Sequence, residues 1–281
     1  MAKPPPRAMS QGETKNACEA GQQVQNSALR LYEVVNQDGA SVSPFVWRTK
    51  FALAKKELAH DSVAVGYLDI PNIGSGTLKT VPILQSNDTF IVDSWLIAEW
   101  LDTTYPDHPA IFQSQSDIAM VRFFDKWFST AVSSSTLRAC IGALHDTLRL
   151  ADRGYFKTTR EQRLGETFEA MAPKIADNIG AMRAALLPIR LTLRGQPFIG
   201  GEEPNYADFI GFAAMISLGG VREPACWRGR DPARANRRPI CWVVRRWRAS
   251  RLLDPIAHDE PPARSRGLSR RHRLLHCICT C

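Results

Sequence analysis

Three features are missing from this 281-residue chain, and each absence excludes a class of function. No cysteine lies between Cys18 and Cys140, so a long N-terminal stretch offers no thiol nucleophile. The six histidines show no spacing typical of metal ligands, and we therefore expect no metal cofactor. Apolar runs stay well short of the roughly 20 residues of a membrane-spanning helix, so we expect no membrane partner.

Lysine is missing from the last 60 residues, although the chain as a whole carries a formal net charge of +8. Residues 222–281 contain 15 arginines and 5 acidic residues, whereas residues 1–221 contain 21 basic and 23 acidic residues. We interpret residues 222–281 as an atypical, disordered tail produced by an out-of-frame or intron-derived reading. A genuine tail for nucleic acid or an anionic membrane is the alternative. Because the rest of the chain is slightly acidic, we do not expect nucleic acid as a partner.

The first 27 residues are polar and contain three consecutive prolines, without the apolar core of a secretory signal. This composition predicts a disordered extension. Without such a signal the protein is expected to be cytoplasmic, where thiols stay reduced.

A strand followed by a capped helix is predicted around residue 43. Residues 29–35 alternate apolar and polar side chains, as in a half-buried strand. Ser43 and Pro44 then supply an N-cap and a proline at the first helical position. A hydroxyl beside the free N–H groups of a helix could stabilise a thiolate. Lowering a thiol pKa by two units from about 8.5 takes about 2.7 kcal/mol. Ser41 offers a second hydroxyl. The alternative is that Ser43 only caps the helix and that Ser41 is an ordinary loop residue.

A second pair of polar helix-start residues follows a proline-interrupted strand. Val81-Pro82 lies in the apolar stretch 80–84, and a cis bond there would present the backbone of Val81 to an extended peptide. A trans proline on an edge strand is the alternative. Asp93-Ser94 opens a strongly apolar helix. Asp93 could cap that helix or pair with an ammonium, and Ser94 with the first N–H groups could hold a carboxylate.

These segments resemble glutathione transferases, and among them the β-aryl-etherase type of lignin-degrading bacteria and its fungal relatives. The resemblance runs from about Leu29 to Val221. It is carried by the following stretches: Ser43–Leu53, Val81-Pro82, Val92–Asp102, Tyr105–Asp107, Phe124–Trp127, Ser129–Val132 and Gly200–Asp208.

The resemblance implies a thioredoxin-like α/β domain over residues 28–104 and an all-α domain over residues 112–221. It also assigns six residues to glutathione as co-substrate. Two would lie at the sulfur: Ser43, as the thiolate-stabilising hydroxyl, and Ser41. Four would hold the peptide: Val81 through its backbone, Pro82 as a cis-proline, and Asp93 and Ser94 at the γ-glutamyl end.

The implied reaction is attack by the glutathione thiolate on an aromatic electrophile or a β-aryl ether. Members of the family with cysteine in place of Ser43 act as thiol transferases, a chemistry that lacks its nucleophile here. The alternative is a protein of the same fold that binds glutathione or a ligand without turnover, impaired by its unusual C-terminus. The implied partners are glutathione, an aromatic small molecule and a second copy of the chain. Phe123 and Trp127 could reach the cleft between the domains and contact an aromatic substrate, but we favour the alternative, which is packing in the core.

Overall fold

A computed structural model of the protein describes residues 28–217. The expectations for residues 1–27 and 222–281 concern segments outside the described residues. Within the described range, no helix combines the length and the apolar character that a membrane crossing requires.

The N-terminal half is a four-stranded mixed sheet with helices packed against it. Its elements are β1 Leu29–Val34, α1 Pro44–Lys55, β2 His60–Val65, a 3₁₀ turn Tyr67–Asn72, β3 Ile83–Ser86, β4 Thr89–Val92 and α2 Ser94–Thr104. The strand order is β2-β1-β3-β4, with β1 and β2 parallel and the other pairs antiparallel. The parallel pair requires a crossover connection, which α1 supplies. This arrangement confirms the thioredoxin-like fold.

The C-terminal half consists of helices joined by loops. Its elements are α3 Gln115–Trp127, a π-helical turn Phe128–Val132, α4 Ser133–Thr147, α5 Leu150–Leu164, α6 Phe168–Met171, a 3₁₀ turn Ala172–Lys174, α7 Ile175–Ala185, α8 Leu187–Gly195 and α9 Tyr206–Ser217. The predicted all-α second domain is therefore confirmed.

One apolar core joins the two halves, and its centre is the contact between α1 and α9. Phe51 of α1 is fully buried and lies 5.7 Å from Phe209 and 6.5 Å from Phe212, measured between ring centres. Truncating a buried phenylalanine to alanine costs about 3–5 kcal/mol, so this contact fixes α1 firmly. The start of α1, which carries Ser43, is thereby held against the helical domain.

A buried ion pair also connects the two domains. Arg48 of α1 lies 2.8 Å from Asp125 of α3, and both side chains are largely shielded from water. Breaking such a pair by removing one partner costs about 3–5 kcal/mol, because the other charge is left buried. The pair therefore fixes the rotation of α1 relative to α3.

Candidate active site

A cavity of about 590 Å³ lies between the sheet domain and the helical domain. Its volume falls within the roughly 300–1,000 Å³ of small-molecule sites. Five of the six residues predicted from the sequence line it: Ser43, Val81, Pro82, Asp93 and Ser94. They come from three separate segments, which the fold brings to one place.

Ser43 is the N-cap of α1 and is half-buried at the cavity wall. Its Oγ accepts a long hydrogen bond of 3.4 Å from the Val46 N–H. A serine hydroxyl can donate one hydrogen bond and accept two, so the O–H of Ser43 can still donate to a ligand. The positive end of the α1 dipole lies at the same point. Ser43 can therefore stabilise an anion by its hydroxyl and by its position.

Ser41 lies outside the cavity wall, two residues before Ser43. It is 7% exposed, and its Oγ is buried without a hydrogen-bond partner among the described residues. Its carbonyl accepts a hydrogen bond of 3.2 Å from the Trp47 indole N–H. Ser41 is thus turned into the packing under α1, and the two hydroxyls expected at the sulfur are not together.

The Val81–Pro82 peptide bond is cis and directly precedes β3. Val81 is half-buried, Pro82 is buried, and both line the cavity. The strand expected over residues 80–84 starts only after the proline, because proline has no N–H to give to the ladder.

Asp93 and Ser94 form the start of α2 on another side of the cavity. Asp93 adopts a left-handed backbone with φ +80°, and its Oδ1 accepts hydrogen bonds from Trp95 N at 2.8 Å and Leu96 N at 3.1 Å. Both N–H groups bond to one carboxylate oxygen, so the other oxygen can face a ligand ammonium.

Ser94 is 2% exposed, and its carbonyl accepts a hydrogen bond of 2.7 Å from the Tyr206 hydroxyl. Burial raises the pKa of Tyr206, so this phenol stays protonated and keeps donating. Tyr206 opens α9, and the hydrogen bond therefore ties the second half of the site to the helical domain.

The cavity wall carries more positive than negative side chains. Lys79, Arg160 and Arg163 line it, as does Arg48, which is neutralised by Asp125. Among the described residues of this wall, Asp93 is the only one with a carboxylate side chain. An anionic ligand therefore suits the cavity better than a cationic one.

An arginine bridge holds the 3₁₀ turn of the sheet domain against α5. The Arg149 guanidinium lies 2.8 Å from a carboxylate oxygen of Asp69 and 2.8 Å from one of Asp152. The Gly66 N–H and Arg149 lower the pKa of Asp69, so the bridge stays charged at neutral pH. A β-carbon added at Gly66 would lie 1.5 Å from an Arg149 nitrogen, so a side chain at this position would require the Arg149 guanidinium to move.

Family models match both halves of the chain. The model described as glutathione S-transferase, N-terminal domain, matches residues 39–109, and that of the C-terminal domain matches residues 119–228. The chain belongs to the glutathione S-transferase family.

Relatives agree with this assignment, and a solved structure shares the fold. Glutathione S-transferase U3 of Arabidopsis thaliana is 32% identical over 113 residues, which cover 39% of this chain and 50% of the relative. Glutathione S-transferase U1 of the same plant is 27% identical over 207 residues, 70% of this chain and 75% of the relative. The chain thus spans half of the first relative and three quarters of the second. A glutathione S-transferase of Ceriporiopsis subvermispora, solved in complex with glutathione, has a TM-score of 0.63 at 24% identity, covering 74% of this chain and 93% of that one.

The transferase fold also places residues at the site that sequence reasoning missed. They come from the loop before β3, the 3₁₀ turn, the π-helical turn, α4 and α5: Lys79, Tyr67, Ser129, Ser133, Tyr155, Arg160 and Arg163. Of these residues, only Lys79 could have been predicted from the sequence, because it lies two residues before Val81, which was itself a predicted site residue. Neither Phe123 nor Trp127 is among the residues that line the cavity. Phe123 is 67% exposed, Trp127 packs 5.4 Å from Phe124, and Phe128 lines the cavity instead.

Proposed function

We propose that this protein is a glutathione transferase that holds glutathione in the described cavity and transfers it to an aromatic electrophile. The observation that carries the proposal is the convergence of Ser43, the cis Val81–Pro82 bond and the Asp93-Ser94 helix start on one cavity. The family supports it, and so does the fold of the Ceriporiopsis subvermispora relative that was solved with glutathione.

Glutathione would lie across three parts of the cavity. Its γ-glutamyl ammonium would pair with the free carboxylate oxygen of Asp93, and its α-carboxylate would lie at Ser94 and the start of α2. Its cysteinyl unit would pair as an added strand with the backbone of Val81, next to Pro82. These contacts would direct the sulfur to Ser43, the member of the serine pair that lines the cavity.

The chemical step would be a displacement by the glutathione sulfur. The thiol proton leaves to solvent, and the Ser43 O–H donates to the thiolate, with the α1 N-terminus adding a favourable field. A new C–S bond forms at the electrophilic carbon. The bond to the leaving group breaks, releasing a halide from an aryl halide or a phenolate from a β-aryl ether. The protein supplies position and electrostatics rather than a covalent intermediate.

Two measurements on the full chain test the proposed function. Titration calorimetry with glutathione should show one site per chain, and conjugation of chlorodinitrobenzene should proceed faster than the uncatalysed reaction. A β-aryl ether assayed in parallel tests the etherase subgroup. Glutathione binding without turnover of the halide or the ether would leave only the non-catalytic alternative, and no binding would overturn both. We propose the cytoplasm as location, since free thiol is maintained there.

We also propose that the protein is a homodimer formed through α2 and α3. Leu96, Met120 and Phe123 expose large apolar side chains on these helices, the last two at 66% and 67%. The helices are adjacent, with the Arg122 guanidinium 3.8 Å from the centre of the Trp95 ring. Such exposed apolar side chains are typical of protein interfaces.

Replacing Phe123 with aspartate should convert this dimer to a monomer, because a charge would be buried at the interface. Light scattering should give twice the chain mass for wild type and the single chain mass for the variant. Leu191→Asp, at a residue 52% exposed on α8, is the matched control and should remain dimeric. A monomeric wild type would contradict the proposal, and so would a dimeric Phe123→Asp variant.

A further inference from the structure

Two arginines of α5 line the cavity and pair with no carboxylate in the part of the chain that the structure describes. Arg160 and Arg163 are one helical turn apart, and both line the cavity. Among residues 28–217, no Asp or Glu oxygen lies within 4.0 Å of either guanidinium. By contrast, Arg48 in the same wall is paired with Asp125. The positive charge of α5 is thus available to a ligand.

Arg160 is held in place by two aromatic rings. Its guanidinium carbon lies 4.9 Å from the centre of the Tyr67 ring and 4.6 Å from that of Phe156. Cation–π contacts of this kind fix the side chain before any ligand arrives. Its Nη1 donates to Thr159 Oγ1 at 2.9 Å, which leaves further N–H donors of the five that a guanidinium carries.

The same part of the wall offers a surface for an aromatic ring. Tyr67 lies 5.5 Å from Phe156 and 6.2 Å from Tyr155, measured between ring centres, and all three line the cavity. We call these three residues with Arg160 and Arg163 the α5 wall. It combines aromatic faces with a fixed guanidinium, which binds a carboxylate in a planar, bidentate manner.

We propose that the α5 wall selects aromatic electrophiles that carry an anionic group, such as a carboxylate. This inference rests on the proposed function and names the substrate class of that same site. Arg160 contacts the anionic group directly, since it is half-buried and oriented by Tyr67 and Phe156. Arg163 is exposed and attracts the anion toward the cavity.

A matched substrate pair measures this preference on the full chain. The probes are a chloronitrobenzoate, with chloride ortho to the nitro group and para to the carboxylate, and its neutral methyl ester. In both, the glutathione thiolate forms a C–S bond at the ring carbon, and chloride leaves. The wild type should prefer the acid over the ester in kcat/KM, each rate being corrected for the uncatalysed reaction.

Arg160→Gln should reduce the acid-to-ester ratio of kcat/KM by about tenfold or more, the effect of losing one charge-assisted hydrogen bond. Arg163→Gln should reduce it by a smaller factor that shrinks as salt is added. Arg194→Gln is the matched control, because Arg194 is exposed on α8 and outside the cavity wall, and it should keep the wild-type ratio.

Each other outcome decides the matter. An acid-to-ester ratio near one in wild type, or one unchanged by Arg160→Gln, would overturn the inference while leaving the proposed function intact. Equal loss for both substrates with a raised KM for glutathione would place Arg160 on the glutathione carboxylate instead. If neither substrate turns over, and chlorodinitrobenzene and the β-aryl ether do not either, the proposed function fails. Calorimetry with the two purified glutathione conjugates then tests the α5 wall alone, which should bind the acid conjugate more tightly, and Arg160→Gln should remove the difference.

Discussion

Replacing Ser43 with alanine should lower kcat/KM for glutathione conjugation by about 25-fold at pH 7. The Ser43 hydroxyl lies at the N-terminus of α1 in the cavity wall and can donate to the sulfur of bound glutathione. Its loss should return the pKa of the bound thiol from about 6.5 toward about 8.5, which lowers the thiolate fraction at pH 7 from about three quarters to about 3%. Since a raised thiol pKa removes thiolate only below that pKa, the deficit should shrink as the pH rises above it. The pH dependence of kcat/KM and the thiolate absorbance measure both effects.

Two further variants make this test specific. Ser43→Thr keeps a hydroxyl and should recover most of the rate. Ser41→Ala is the control, because Ser41 lies outside the cavity wall, and it should keep the thiol pKa of the wild type. If Ser43→Ala retained the wild-type pH profile, the α1 N-terminus alone would be enough for thiolate formation. If only Ser41→Ala shifted the profile, the role given to Ser43 would belong to Ser41.

Replacing Asp208 with alanine should destabilise the protein by about 3 kcal/mol or more. Asp208 is fully buried near the start of α9, and its carboxylate accepts hydrogen bonds from the N–H groups of Ile199 at 2.7 Å, Gly200 at 2.9 Å and Asn205 at 3.1 Å. Alanine would leave three donors without a partner, each at a cost of about 1–3 kcal/mol. Urea unfolding measures the loss. Asp177→Ala changes an exposed residue in the first turn of α7 and should stay within about 0.5 kcal/mol of wild type.

The same residue predicts a pH dependence of stability. Burial raises the pKa of Asp208 to about 6 and outweighs the opposing effect of the N–H donors. The folded state therefore holds this proton more tightly than the unfolded state, whose aspartate has a pKa of about 3.9. The stabilisation that this bound proton gives the folded state is largest below the pKa of the unfolded state and is lost as the pH rises through about 6. Asp208→Asn cannot titrate, so the difference in unfolding free energy between wild type and this variant should change mainly between pH 4 and 6.

The local parts of this structure could be predicted from the sequence because they depend on neighbouring residues. The N-caps Ser43 and Asp93 are set by a polar side chain followed by helix-forming residues, and both are found in place. The same holds for Asn205 before α9, whose side chain accepts from the Ala207 N–H at 2.9 Å. The apolar residues Val63–Tyr67 indicate a second strand, and β2 begins three residues before them, spanning His60–Val65. Strand ends are decided by the partner, here β1.

The parts that could not be predicted depend on how distant elements meet. Arg160 reaches Tyr67 only because α5 folds back over the 3₁₀ turn of the other domain, and no spacing in the sequence records that contact. Ser41 is buried outside the cavity wall, whereas Ser43 lines the cavity. The two residues are chemically identical, and only the path of the short loop that carries them sets them apart. For Phe123 and Trp127, helical periodicity identified a face but could not tell whether it would meet solvent, core or cavity.

Gly66 has a consequence for building chimeras of related transferases. The space that a side chain would need at this position is already filled by Arg149, so a residue of one domain completes the packing of the other. Sheet and helical domains taken from two different parents will keep the arginine bridge as it stands here when the glycine and the arginine are inherited together. A crossover placed between them must therefore keep both, whatever else it exchanges.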